Sequence, residues 1–157
     1  MRRIYIASSW RNIIQPIMVD LLRSHGHEVY DFRNPHLGPA SKDFSWAECD
    51  VSWASKDRPK TVGAGQLISM LATMPAVKGL ASDKAGLDWA DTVIMLQPCG
   101  RSSALELGYG IGRGKDTMAY LVDGQEPELV IRMADILVRD YGSMLLHLAD
   151  PRPFKSQ

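Results

Sequence analysis

The chain lacks most of the features that give a function away. Its 157 residues hold two cysteines, Cys49 and Cys99, fifty positions apart and in no C-x-x-C arrangement, so neither a zinc site nor a disulfide framework is indicated. Eighteen basic residues cancel eighteen acidic ones without a run of like charge. That balance leaves no electrostatic footprint for nucleic acid or for an anionic membrane surface. No stretch reaches the roughly 18 consecutive apolar residues of a membrane span. Met1-Arg2-Arg3 leads straight into a strand pattern with no apolar leader, so a cytoplasmic location is expected. These absences leave one globular domain over residues 1–150, a tail at 151–157 expected to fray, and a small, roughly neutral partner.

Catalytic and nucleotide motifs are mostly missing as well. Gly108, Gly110, Gly112 and Gly114 alternate, but Arg113 stands where G-x-G-x-x-G needs its last glycine, and the run does not follow a strand directly. Gly114-Lys115 lacks Walker spacing, and no nucleophile elbow is present. No metal ion or organic cofactor is expected.

What is there centres on TVIMLQPCGRSSALELGYGIGRGK, residues 92–115. Residues 92–96 form a short apolar run stopped by Gln97-Pro98, the pattern of a strand buried on both faces of a parallel sheet. From Ala104 a helical period begins, with Ser102 or Ser103 placed to cap it, which puts Glu106 in its first turn. A carboxylate there sits at the positive end of the helix dipole, beyond the carboxyl end of a strand, where open α/β sheets bind ligands. The same Ser103-x-x-Glu106 spacing also fits a capping box, in which the glutamate does no chemistry.

The rest of the chain supplies the frame. Strands are predicted at 3–7, 28–32, 92–96 and 117–122, with helices at 13–24, 65–73 and 76–90. Residues 127–149 are mostly helical in period, although 134–138 also reads as a fifth strand. Between 33 and 61 the pattern lapses into turn signals with Phe44, Trp46 and Trp53 among charges, as in a lid that stacks on a planar ligand or rings packed on the core. Alternating strands and helices predict a doubly wound, mainly parallel five-stranded sheet in the order 2-1-3-4-5, with helices on both faces. The crevice where strands 1 and 3 diverge would gather Tyr5, Ser9, Arg11, Asp83, Ser102, Ser103 and Glu106. Two carboxylates beside hydrogen-bond donors equip a retaining glycosyl-transfer site: one attacks the anomeric carbon and the other assists the leaving group.

These residues resemble a known family. IYIASSWRN at 4–12 and ADTVIMLQPCGRSSALELGYGIGRGK at 90–115 are similar to segments of the nucleoside 2-deoxyribosyltransferases and the related nucleoside 5′-monophosphate N-glycosidases. ELGYGIGRGK follows the family's E-x-G-x-A-x-x-x-G-K pattern with Gly110 in place of the alanine. The resemblance implies that Glu106 is the nucleophile, that Asp83 contacts the base and assists its departure, and that Tyr5 lines the site. It also implies that Ser9-Trp10-Arg11, with Ser102 or Ser103, holds a 5′-phosphate. Gly100, six residues before Glu106, stands where the transferases carry an aspartate for the sugar hydroxyls. Family members assemble as homo-oligomers in which a neighbouring chain completes the site. Two rival readings are an NAD glycohydrolase-like enzyme, with the loop tryptophans Trp46 and Trp53 stacking on its rings, and a nucleotide-binding domain in which Glu106 only caps its helix.

Overall fold

The computed structural model describes residues 1–39, 44–55 and 61–156. In chain order the elements are β1 (Arg3–Ala7), α1 (Ile14–Ser24), β2 (Glu28–Tyr30), two 3-10 turns (Trp46–Glu48 and Val51–Ala54), α2 (Ala64–Leu71) and α3 (Met74–Trp89). They continue with β3 (Thr92–Leu96), α4 (Arg101–Gly112), β4 (Asp116–Tyr120), a 3-10 turn (Leu129–Met133), β5 (Ile136–Val138) and α5 (Tyr141–Ala149). Two compact units divide the chain: Met1–Asp31 with Leu87–Gln157, and Phe32–Gly86.

The first unit holds a five-stranded, wholly parallel sheet in the expected order β2-β1-β3-β4-β5. β3 is buried at every residue, which explains why its sequence is continuously apolar instead of alternating. On one face Ile4, Ile6, Ile94, Leu96, Met118 and Val138 meet Met18 and Leu22 of α1 and Met144 and Leu148 of α5 in the main core. Alternation turns Tyr5, Val93 and Thr117 to the other face, which α4 covers. The ambiguous segment resolves into a 3-10 turn, a strand and a helix. β5 is held to β4 by Asp135, whose Oδ2 accepts the Thr117 N–H at 2.9 Å and its hydroxyl at 2.7 Å.

The end of the chain does not fray as its prolines and charges suggest. Phe154 is only 3% exposed, its N–H donates to Asp116 Oδ1 at 3.0 Å, and the Arg2 guanidinium lies 4.5 Å from its ring centre. Arg2 also pairs with Asp116 and donates to the carbonyls of Asp150 and Arg152, so one arginine ties both termini to the amino end of the sheet. A cation that serves six partners, the Leu148 carbonyl and the Thr92 hydroxyl included, offsets its desolvation by hydrogen bonding.

In the second unit the segment expected as a lid carries local order. Ser45 caps the first 3-10 turn and Asp50 the second, and Gln66 of α2 donates to Asp50 Oδ2 at 2.7 Å. Phe44 meets Trp46 edge to face at 4.9 Å, Trp46 lies 6.4 Å from Trp53, and Phe44 packs against Gly79 of α3. These rings pack on one another and on a helix of their own unit, and they are not among the residues of the main core. Residues 40–43 and 56–60 of the expected lid lie outside the described residues. Among the described residues no helix is long and apolar enough to cross a membrane, and no group of His, Cys, Asp or Glu could hold a metal ion.

The seat of α4 depends on Gly110. A Cβ there would lie 2.8 Å from Val93 Cγ2 and 3.1 Å from its Cβ, and a β-branched side chain on a buried strand has little room to give. We expect Gly110→Ala to destabilise the protein by about 1 kcal/mol, because overpacking of about 1–3 kcal/mol outweighs the gain of up to about 1 kcal/mol in helix propensity. Adding Val93→Ala should restore part of the loss relative to Val93→Ala alone; equal effects of Gly110→Ala in both backgrounds, measured by urea unfolding, would contradict this packing.

Candidate active site

The site starts from strand register. Tyr5 pairs with Tyr30 on β2 and with Val93 on β3, so the two tyrosines stand side by side on one face, stacked at 5.4 Å with planes 10° apart. Tyr5 is wholly buried, and stacking on both the strand and its neighbour fixes the ring. Its hydroxyl donates to Glu106 Oε1 at 3.0 Å. A hydrogen bond to a charged acceptor contributes about 1.5–3 kcal/mol and, here, sets the direction in which the carboxylate points. Glu106 is half-buried.

The position of Glu106 on its helix differs from the sequence expectation. α4 begins at Arg101 with Gly100 as its N-cap, so Glu106 is the sixth residue and lies in the second turn. The reason is that Gly100, in extended conformation, starts the helix without a side-chain cap, and neither Ser102 nor Ser103 is used for capping. Both serines sit inside the first turn, with the Ser103 N–H donating to the Gly100 carbonyl at 3.1 Å. The capping-box reading of Glu106 therefore fails. Dipole stabilisation also fades beyond the first turn, so the orienting hydroxyl of Tyr5 is the better-founded influence on this carboxylate.

The loop after β1 is bound to the end of β3. Ser8 Oγ donates to the Leu96 carbonyl at 2.9 Å, and Asn12 Nδ2 donates to Ser8 Oγ at 2.9 Å and to Leu96 O at 3.3 Å. Asn12 Oδ1 accepts the Ile14 N–H at 3.0 Å, which gives α1 the start expected from its sequence. This frame presents Ser9, whose hydroxyl accepts the Arg11 N–H at 3.2 Å, and leaves Arg11 exposed. Ser102 is exposed and Ser103 is 1% exposed, so of the two only Ser102 is placed to meet a ligand without rearrangement. Because Gly100 has no side chain to cap the helix and the Ser103 N–H turns back to its carbonyl, the N–H groups of Arg101 and Ser102 are the ones left for water or a ligand.

Asp83 is half-buried on the part of α3 that belongs to the second unit; in the same unit Phe44 is half-buried and Trp46 is exposed. Asp88, farther along α3, accepts the Tyr109 hydroxyl, and Lys115 Nζ donates to the carbonyls of Asp88 and Ala90. The tyrosine and lysine of ELGYGIGRGK thus tie the end of α3 to α4, and burial pushes the Lys115 ammonium down from its ordinary pKa. Three contributors were not visible in the sequence: Tyr30, found only through register, Ser8, and Gln97 at the end of β3. A glutamine closing an otherwise apolar buried strand was the one available signal for the last.

Cys99 lies between this site and the loop after β4. Burial pushes its thiol up, the Ser103 hydroxyl partly offsets this, and the charges of Glu128 and Glu106 push it up further. A raised pKa means less thiolate at neutral pH and a slow reaction with alkylating agents. Iodoacetamide modification of Cys99, followed by peptide mass mapping to separate it from Cys49, should be slower than that of a free thiol at pH 8. It should slow further in Ser103→Ala and speed up in Glu106→Gln; the reverse order would contradict the arrangement around the thiol.

The fold and site define a doubly wound α/β protein with an oriented carboxylate at the carboxyl edge of its central strands. A solved structure with this fold is a 2-deoxyribosyltransferase from the psychrotolerant bacterium Bacillus psychrosaccharolyticus, similar with a TM-score of 0.54 and 19% identity over 90% of this chain and 88% of that one. At that identity the likeness establishes the fold. No protein-family model matches the chain, and no curated protein matches it significantly.

Proposed function

We propose that the protein cleaves the N-glycosidic bond of a nucleoside or nucleoside 5′-monophosphate and passes the sugar to water or to another nucleobase. The observation that carries this reading is the buried Tyr5 hydroxyl donating to Glu106 at 3.0 Å, which orients a carboxylate beside the carboxyl ends of β1 and β3. The likeness in fold to a 2-deoxyribosyltransferase supports it. In the proposed mechanism a Glu106 oxygen attacks C1′, the C1′–N bond breaks, and the base leaves with the bonding pair while gaining a proton. Asp83 is the proposed partner of that base. The resulting C1′ ester is opened when water or a second base attacks C1′, which returns the carboxylate to Glu106.

A 5′-phosphate is the proposed anchor of the substrate. Arg11, Ser9, Ser102 and the uncapped first turn of α4 supply a cation, hydroxyls and free N–H groups, the donors a phosphate needs. Gly100 brings no carboxylate to repel it, whereas an aspartate there would. Exposed Ile68, Leu71, Met74 and Leu80 support the further proposal that copies of the chain associate, since single chains seldom leave so many large apolar groups bare. Light scattering should then give a mass at least twice that of one chain; a monomer at micromolar concentration would rule the association out.

A panel of ribo- and deoxyribonucleosides and their 5′-monophosphates, incubated with and without a second free base and resolved by chromatography, tests the activity. The expected result is base release that favours the monophosphates and is lost by at least a thousandfold in Glu106→Gln. Arg11→Ala should remove the preference for the monophosphate through KM. If folded protein releases no base from any substrate, the glycosidase reading is wrong.

A further inference from the structure

A second cleft opens on the other side of α4. It has a volume of about 830 Å³ and lies within the first unit, between the first turns of α4 and the loop that follows β4. Arg101, Ala104 and Leu105 are the α4 residues that line it. At about 100° per residue, Glu106 projects roughly 140° away from Arg101 around the helix, toward Tyr5. The cleft is therefore not the space in front of the Tyr5–Glu106 pair, although Cys99, which lines it, senses the charges of both Glu106 and Glu128.

Gln97 is the informative residue. It lines the cleft, yet it is only 7% exposed. Its Oε1 accepts the Val122 N–H at 3.2 Å, and this contact decides which end of the amide faces the protein. Nε2 is thereby left without a hydrogen-bond partner among the described residues, and it is not sealed from the cleft as the buried unpaired atoms are. A fixed amide donor with no acceptor, at the base of a cavity of this size, is a feature that a ligand satisfies.

The remaining lining narrows the ligand. Met95, Leu105 and Val130 supply apolar walls, and Glu126, Glu128 and Arg101 supply the charges of the lining. Two carboxylates against one guanidinium disfavour a phosphate or any other anion. A neutral planar ring suits the set: a ring nitrogen or carbonyl oxygen accepts from Gln97, N–H groups donate to the carboxylates, and the flat faces meet the apolar walls. We propose that this cleft binds a free nucleobase, separately from the base carried on the sugar at Glu106, with Gln97 Nε2 as its recognition donor. The choice of nucleobase rests on the glycosidase reading above, in which a free base is product and acceptor. The cleft then holds a base next to the site that releases or consumes it.

The test is direct binding, independent of turnover. Hypoxanthine, adenine, uracil and cytosine are titrated into wild-type protein and into Glu106→Gln by calorimetry, with the Gln97 side-chain amide followed by ¹⁵N NMR. At least one base should bind both proteins with similar affinity and shift the Gln97 amide resonances. Gln97→Glu keeps an acceptor for the Val122 N–H and removes the donor, and it should weaken binding at least tenfold. Val130→Trp, at a position 60% exposed and so tolerant of size, fills the cleft and should do the same without loss of thermal stability. The proposal is overturned if no base binds the folded protein, if Val130→Trp binds as tightly as wild type, or if ribose or ribose 5-phosphate shifts the Gln97 amide where bases do not. Failure of base release from nucleosides, with binding intact, would instead count against the Glu106 chemistry.

Discussion

The parallel pairing of β1 with β3 is the constraint on which the site depends. Its register sets Tyr5 opposite Val93 and, through β2, beside Tyr30, so that the phenol rises from the sheet toward α4. Gly110 then lets α4 settle onto Val93 closely enough for Glu106, one turn earlier, to reach that hydroxyl. A shift of one residue in the strand would turn Tyr5 to the opposite face and leave the carboxylate without its orienting donor. Sheet register, helix seat and carboxylate direction are thus one arrangement.

The molecule divides its work between the two ends of the sheet. At the amino end Arg2 binds Asp116, carbonyls near the chain end and the Phe154 ring, and so joins the two termini. At the carboxyl end the Ser8, Asn12 and Leu96 bonds hold the loop after β1, while Gly100 opens the start of α4. Polar groups that bind the backbone hold this loop in place and leave Arg11 and Ser102 exposed. Gln97 sits where these two uses meet, with one end of its amide given to Val122 and the other to the cleft.

Much of this was legible in the chain. Continuous burial in residues 92–96 and the alternation of strand and helix patterns were enough for the sheet and its order, because a parallel sheet with right-handed crossovers leaves few alternatives. The convergence of Glu106 and Tyr5 on one crevice was legible, though not their hydrogen bond, which needs the register. The start of α4 was misjudged because serines are better caps than glycine in general, while here an extended Gly100 does the work and the serines enter the helix. The strand at 136–138 was legible only as one of two readings of its segment, since three residues carry no period of their own. Phe154 looked like tail sequence because its partners, Arg2 and Asp116, come from distant parts of the chain.

The central claim is that Glu106 is a nucleophile and not merely an oriented anion. A 2-deoxy-2-fluoro nucleoside slows both glycosyl steps and the second more than the first, so the sugar ester accumulates if it forms. Intact-mass spectrometry followed by peptide mapping should show one fluorosugar per chain, attached at Glu106 and absent from Glu106→Gln. Attachment at another residue, or base release from the same compound with no adduct at any time, would contradict the account.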